Sequence, residues 1–159
     1  MNTQEYRNIM GGFATGVTVI TTGDQSQHYS GMTANSFSSL SLEPSLIMWA
    51  IDKGSTNFEE FTACKAFAVH VLHKGQANTA YQFAKNDSDR FADVDFQVSN
   101  NHTPLLNDFL VRIECDLETT YDGGDHIIIV GKVTEAAQKP GEPLVFYKGK
   151  MGEFVQTSR

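Results

Sequence analysis

YSGMTANSFSSLSLEPSLIMWAIDKGSTN, residues 29–57, sets two apolar, strand-like segments around a run of small hydroxyl and amide side chains: Thr33, Asn35, Ser36, Ser38, Ser39 and Ser41. The second segment, LIMWAI at 46–51, is almost continuously apolar, as a central strand buried on both sides would be. A second small polar cluster, Asp52, Lys53, Gly54, Ser55, Thr56 and Asn57, follows it. Two readings of the first run stand side by side. It is a polar surface loop that ends a hairpin, which composition alone favours, or it is a ligand cradle. Short neutral side chains and backbone N–H groups take little volume and can approach a flat ring edge closely. The second cluster has the same two sides. It is a helix start capped by Ser55, or a phosphate site at that start with Lys53 as counter-charge.

Upstream, TGVTVITT at 15–22 is dense in β-branched residues and reads as a strand. A turn at 23–27 lets residues 28–34 return as its antiparallel partner. Before it, residues 3–13 show helical spacing at Tyr6, Ile9, Met10 and Phe13, with Thr3 as cap and Gly11 and Gly12 as the stop. Residues 36–45 read as irregular, punctuated by Pro44.

Downstream, Phe58, Phe61 and Cys64 share a helical face, 66–72 (AFAVHVL) is a strand, and Ala77, Ala80, Tyr81 and Ala84 mark a helix over 76–84. Residues 85–103, with Asp87, Asp89, Asp93 and Asp95, read as a loop or broken helix. Two long strands, 110–121 and 125–137, flank a turn at Asp122, Gly123 and Gly124. Gly131 marks a bulge or a close backbone approach. A short strand at 144–147 precedes a glycine-containing tail. Strands joined by tight turns and only irregularly interrupted by helices predict a mainly β protein, an antiparallel barrel with short helical insertions, in one domain over 1–159.

Net charge of -7 argues against a nucleic-acid partner. No apolar run approaches a bilayer span, and the N-terminus lacks the form of a signal peptide. Cys64 and Cys115 have no CxxC spacing, so reduced thiols in a cytoplasmic protein are expected. GxGxxG, GxxxxGK[ST], GxSxG and HExxH are all missing. The histidines have no diagnostic ligand spacing, and no metal is expected. His126, directly after the Gly124–Asp125 turn, is either a surface residue or a rigidly held partner for a substrate amide. Arg90 is a candidate partner for a carboxylate or phosphate. Phe83, Phe91, Trp49, Phe146 and Tyr147 read first as packing residues.

FATGVTVITT, GMTANSFSSLSLEPSL, IDKGSTN, FAVHVL, FA…DRF, GDHIIIVGKV and PLVFYKGKMG occur in the order found in the flavin reductase-like, FMN-binding split-barrel family, which the chain resembles over about residues 6–154. The resemblance implies a six-stranded antiparallel Greek-key split barrel, a homodimer, and flavin near the subunit interface. It implies an NAD(P)H-dependent flavin reductase that passes hydride from nicotinamide to FMN or FAD and supplies a partner monooxygenase. A non-enzymatic FMN-binding electron-transfer protein on the same barrel is the alternative. Thr33, Ala34, Asn35 and Ser36, with Ser39 behind, match the segment that meets the flavin ring. Asp52, Lys53, Ser55, Thr56 and Asn57 match the ribityl and phosphate side, and Phe83, Ala84 and Arg90 the later flavin contacts. His126, Tyr147, Lys148, Gly149 and Lys150 match the nicotinamide side, with NADH or NADPH as substrate. Departures from the family pattern are His70 for a commoner asparagine, Ser45 for a proline, and Met151 for a frequent tyrosine or phenylalanine.

Overall fold

The first helix, α1 (Thr3–Met10), is capped one residue earlier than expected. Asn2, not Thr3, closes it, because only Asn2 has a glutamate three residues ahead. Asn2 Oδ1 accepts the Glu5 N–H (2.8 Å) and Asn2 N–H donates to Glu5 Oε2 (3.0 Å), a reciprocal capping box. No residue of α1 is buried. The computed structural model describes residues 1–86 and 89–158; Asp87, read from sequence as part of a polar loop, lies outside them with Ser88 and Arg159.

The expected first strand is two strands. β1 (Thr15–Gly16) joins a small sheet, and β2 (Thr18–Gly23) enters the main one. β3 (Tyr29–Ala34) returns against β2 as expected. Residues 36–45 are not irregular: β4 (Phe37–Leu42) pairs antiparallel with β5 (Ser45–Asp52), with a register shift between Ser39 and Ser41. Serines carry little strand propensity of their own; β4 exists because β5 supplies its hydrogen bonds. β5 also differs from expectation. Ile47, Trp49 and Ile51 point into the core while their neighbours are half-buried or exposed, so it alternates. The strands buried on both faces are β2 and β6 (Ala66–Val71), the latter following the short helix α2 (Phe58–Ala63). α3 (Ala77–Ala84) matches its helical spacing. Beyond it, β7 (Phe96–Val98) and β8 (Pro104–Leu106) form a small hairpin in what reads as loop. β9 (Val111–Gly123) and β10 (His126–Gln138) are the long pair, and β11 (Leu144–Tyr147) and β12 (Lys150–Glu153) join β1 in a three-stranded sheet.

The main sheet has seven strands in the order β3-β2-β6-β9-β10-β5-β4, all antiparallel. Its first and last strands, β3 and β4, are consecutive in the chain, joined only by Asn35 and Ser36. Two residues cannot span a flat seven-strand sheet, whose strands lie about 4.8 Å apart. The sheet must therefore curl until its two edges meet at that corner, which makes it a barrel. Gly131 serves both expected roles. It sits at a register shift, and a Cβ there would lie 2.5 Å from the Phe67 ring.

The barrel interior holds Ile20, Ala34, Ile47, Trp49, Ile51, Phe61, Phe67, Val69, Cys115 and Ile129. Trp49 packs edge-on to Phe61 and Phe67, at 5.1 and 6.1 Å between ring centres. A second core lies outside the barrel wall, where Val17, Val19, Leu72, Ala80, Phe83, Leu106 and Leu144 bind α3 and the small sheet to β2. His70, fully buried, stands behind it. The Leu106 N–H donates to Nε2 (3.0 Å), so Nδ1 carries the proton and donates to Val19 O (3.0 Å). Burial holds this imidazole neutral, with its pKa pulled down to about 3. Cys64 and Cys115 are free thiols. Among the described residues no helix is long and apolar enough to cross a membrane, and no group of three metal-ligating side chains is present.

Candidate active site

β3 is an edge strand, and its phase can be read. Ser30, Met32 and Ala34 lie opposite Thr22, Ile20 and Thr18, in step with the Asp24 N–H bond to His28 O (3.3 Å). Backbone groups alternate in an antiparallel ladder. The even-numbered residues of β3 thus face β2, and Gly31 and Thr33 turn their N–H and C=O outward. Gly31 fixes the assignment, since its carbonyl accepts from Arg90 Nη1 (2.7 Å) and Asn57 Nδ2 (3.5 Å). Thr33, two residues on, leaves its N–H and C=O unspent on the ladder.

Two clefts open along this edge. The first, about 270 Å³, is mostly apolar. Val17 and Ala34 are joined by Ala80, Tyr81 and Ala84 of α3 and by Phe146 and Met151 of the small sheet, with Thr33 and Asn35 as polar members. The Thr33 hydroxyl is not free for a ligand. It donates to Ala80 O (2.5 Å) and so ties α3 to β3. Phe146 and Met151 are direct partners across β11 and β12 and hence share a face.

The second cleft, also about 270 Å³, is polar, and Gly31, Thr56, Asn57, Glu60, Asn86, Asp89 and Arg90 line it with Tyr29 and Phe91. Arg90 is its hub. Its Nε donates to Lys85 O (2.5 Å), Nη1 to Gly31 O and Asn57 Oδ1 (3.1 Å), and Nη2 to Asn86 Oδ1 (3.0 Å). One side chain thus joins β3, the start of α2 and the chain beyond α3.

The structure gathers only part of the expected site. Thr33, Ala34, Asn35 and Ala84 line the first cleft, and Thr56, Asn57 and Arg90 the second. Ser36 is occupied elsewhere: its hydroxyl donates to Ala50 O (2.7 Å) and accepts the Ala50 N–H (3.2 Å), closing the β3–β4 corner. Ser39 sits within β4 opposite Ile47 and lines neither cleft. Asp52 accepts the Gly54 N–H (2.7 Å) and shapes a turn. Lys53 is turned away to Asp122 (2.5 Å), whose carboxyl it holds below the usual range, so Arg90 is the cation of the polar cleft. Ser55 accepts the Asn57 N–H (3.3 Å), and Asn57 rather than Ser55 begins α2. Phe83 is a packing residue, fully buried behind Gly31, where a Cβ would lie 2.6 Å from its ring.

The expected nicotinamide side divides too. Tyr147, Lys148 and Lys150 border an open groove on the other face of the β11–β12 hairpin, which shares Met151 with the apolar cleft. Gly149 makes the turn, with φ +76 beside Lys148 at φ 47. His126 lies opposite Gly123 and Asp52, its Nδ1 2.7 Å from Asp125 Oδ1, and lines neither cleft. The residues missed are Val17, Ala80, Tyr81, Phe146 and Met151 in the first cleft, and Tyr29, Gly31, Glu60, Asn86, Asp89 and Phe91 in the second. The α3 spacing that marked a helix also carried Ala80 and Tyr81, and the alternation of a hairpin around Lys148 and Gly149 pairs Phe146 with Met151.

Comparison with known proteins gives the family and the fold. A family model described as flavin reductase like domain matches residues 10–154. The chain is 39% identical over 153 residues to the FMN reductase (NADH) SmoA of Agrobacterium fabrum, covering 96% of this chain and 87% of that one. It is 36% identical to the reductase subunit HsaB of a flavin-dependent monooxygenase from Rhodococcus jostii, covering 92% and 75%. The structure superimposes with a TM-score of 0.92 on the NADH:FAD oxidoreductase SgcE6 of Streptomyces globisporus in complex with NAD and FAD fragments, at 36% identity, covering 98% and 94%.

Proposed function

The chain belongs to the flavin reductase like domain family, and from that premise we infer that it is an NAD(P)H-dependent flavin reductase which hands reduced flavin to a partner monooxygenase. The observation that carries the reading is the free edge of β3, with Thr33 N–H and C=O facing outward between an apolar cleft and a cleft held by Arg90. The donor set fits a flavin. Neutral backbone groups suit its pyrimidine edge, an apolar slot suits its rings, and the cleft at Arg90 leaves a guanidinium donor for its phosphate. When bound, flavin supplies the hydride acceptor, with negative charge growing at its N5 and O4 side on reduction.

The chain's own part is alignment. The β3 edge offers donors where that charge grows, and they need no reorganisation because the ladder already fixes them. Thr33 and Ala80 hold α3 as one wall, while Phe146 and Met151 form the other and keep water from the rings. Lys148 and Lys150, across the shared Met151, supply cations for a nicotinamide nucleotide approaching along the hairpin. His126 lies outside this arrangement within one chain. The fold reads as a single domain. The exposed apolar side chains Tyr6, Ile9, Met10 and Phe13 at α1, with Leu42 at 94% exposure, support a homodimer. The two free thiols support a reducing, cytoplasmic setting.

The test is steady-state oxidation of NADH and of NADPH with and without added FMN or FAD, alongside quenching of Trp49, the single tryptophan, by flavin. Flavin-dependent oxidation of at least one nucleotide is expected. Flavin binding with neither nucleotide oxidised would leave an electron-transfer protein in its place.

A further inference from the structure

The polar cleft is a poor anion trap. An arginine has five N–H donors. In Arg90 the Nε donor, both Nη1 donors and one Nη2 donor go to neutral oxygens of Lys85, Gly31, Asn57 and Asn86. Among the described residues one donor remains for a phosphate. The other charges lining the cleft are carboxylates, Glu60 and Asp89, and neither is ion-paired among the described residues. Among the described residues, one cation against two anions gives the cleft a negative balance where a flavin phosphate, at about -1.5 to -2 near neutral pH, would sit. Lys53, the cation nearest in sequence, is engaged with Asp122 instead.

We propose that Glu60 is an affinity-determining residue of this site: its carboxylate, beside Arg90 in the polar cleft, keeps phosphate recognition weak, so that riboflavin and FMN are held with similar affinity and either is readily released. The proposal rests on the flavin-reductase reading and on the phosphate lying in this cleft. A site that must give up its flavin to another enzyme gains from a repulsive charge at the phosphate end, because such a charge weakens binding without touching the ring donors that govern hydride transfer. The carboxylate is solvent-exposed, so its effect is modest and screened by salt.

The experiment measures Kd for FMN and for riboflavin by flavin fluorescence, at low salt and at about 0.3 M salt, where the Debye length falls below about 8 Å. It compares the wild-type protein with Glu60→Gln and Glu59→Gln. Glu60→Gln is expected to tighten FMN about threefold at low salt, with riboflavin unchanged and the gain shrinking as salt rises. Glu59→Gln, one residue away in the same helix turn but outside the cleft, controls for loss of the favourable helix-end charge and is expected to change neither Kd. FMN unmoved, FMN and riboflavin tightened alike, or Glu59→Gln matching Glu60→Gln would each overturn the role of Glu60 while leaving the reductase reading intact. Failure of the wild-type protein to bind either flavin would remove both.

Discussion

The two clefts share one strand and are built by different means. The apolar cleft takes its walls from distant parts of the chain, α3 and the β11–β12 hairpin, held by a packed core behind them. The polar cleft has one aromatic wall, where Tyr29 and Phe91 pack edge-on, and its polar members are tied together by the fork of a single arginine. Packing gives the first its shape but no specificity for charge. Hydrogen bonding gives the second a fixed shape but leaves little of the arginine's charge to spend on a ligand. A site organised this way should recognise the flat ring more than the phosphate.

The largest expected effect tests the packed side. His70 bridges β2, β6 and β8 in the core that backs the apolar cleft. Its folded pKa of about 3 lies below the ordinary 6.5, so between those values the unfolded chain binds a proton that the folded one refuses. Stability is therefore full above pH 6.5 and falls as pH drops, by about 1.4 kcal/mol per unit, with a loss on the order of 4 kcal/mol by pH 3. Thermal melts across this range should show that slope. In His70→Asn, whose amide keeps one donor and one acceptor, the part of the slope due to this group should vanish. An unchanged slope would mean that the imidazole is not the titrating strut.

Next in size is the hub of the polar side. Arg90→Lys keeps the charge and loses the planar fork, so Gly31, Asn57, Lys85 and Asn86 cannot all be served. Losing two or more such bonds, at about 1 kcal/mol each, should weaken flavin binding about 30-fold. The contrast with a plain phosphate ligand lies in the ratio. If Arg90 positions the cleft, riboflavin and FMN weaken together; a drop confined to FMN would make it a phosphate hand and break the comparison drawn above.

This division also explains what was legible beforehand. Strands with β-branched or apolar runs, β2, β5 and β6, and the hairpin at Gly124 are local signals and could be read. β4 could not, because its serines are made a strand by pairing with β5. Residues 33–35 were marked out as a cradle by the family resemblance, yet the outward phase of the Thr33 backbone is shown only by the β2–β3 register. Lys53 looked like the phosphate cation because it is close in sequence to Asn57. The ion pair with Asp122, 69 residues on, is a tertiary fact and turns it elsewhere. Phe146 and Met151 entered the site from the far end of the chain, where the hairpin register pairs them.

Thr33→Val gives the smallest effect and the finest test. Valine keeps the shape and the backbone groups of the β3 edge and removes only the hydroxyl that donates to Ala80 O. Ala80 O lies inside α3 and is not left without its helical partner, so the cost is one side-chain hydrogen bond, about 1 kcal/mol. If the hydroxyl works by holding α3 against the apolar cleft, the KM for riboflavin and for FMN should rise alike, by about fivefold at most, with kcat little changed. If instead the hydroxyl were itself a donor to the reduced ring, kcat would fall while KM stayed, since that bond strengthens only as charge develops. The first outcome leaves Thr33 with two separable duties. Its side chain ties down the wall of the apolar cleft, and its backbone N–H and C=O stay outward on the β3 edge.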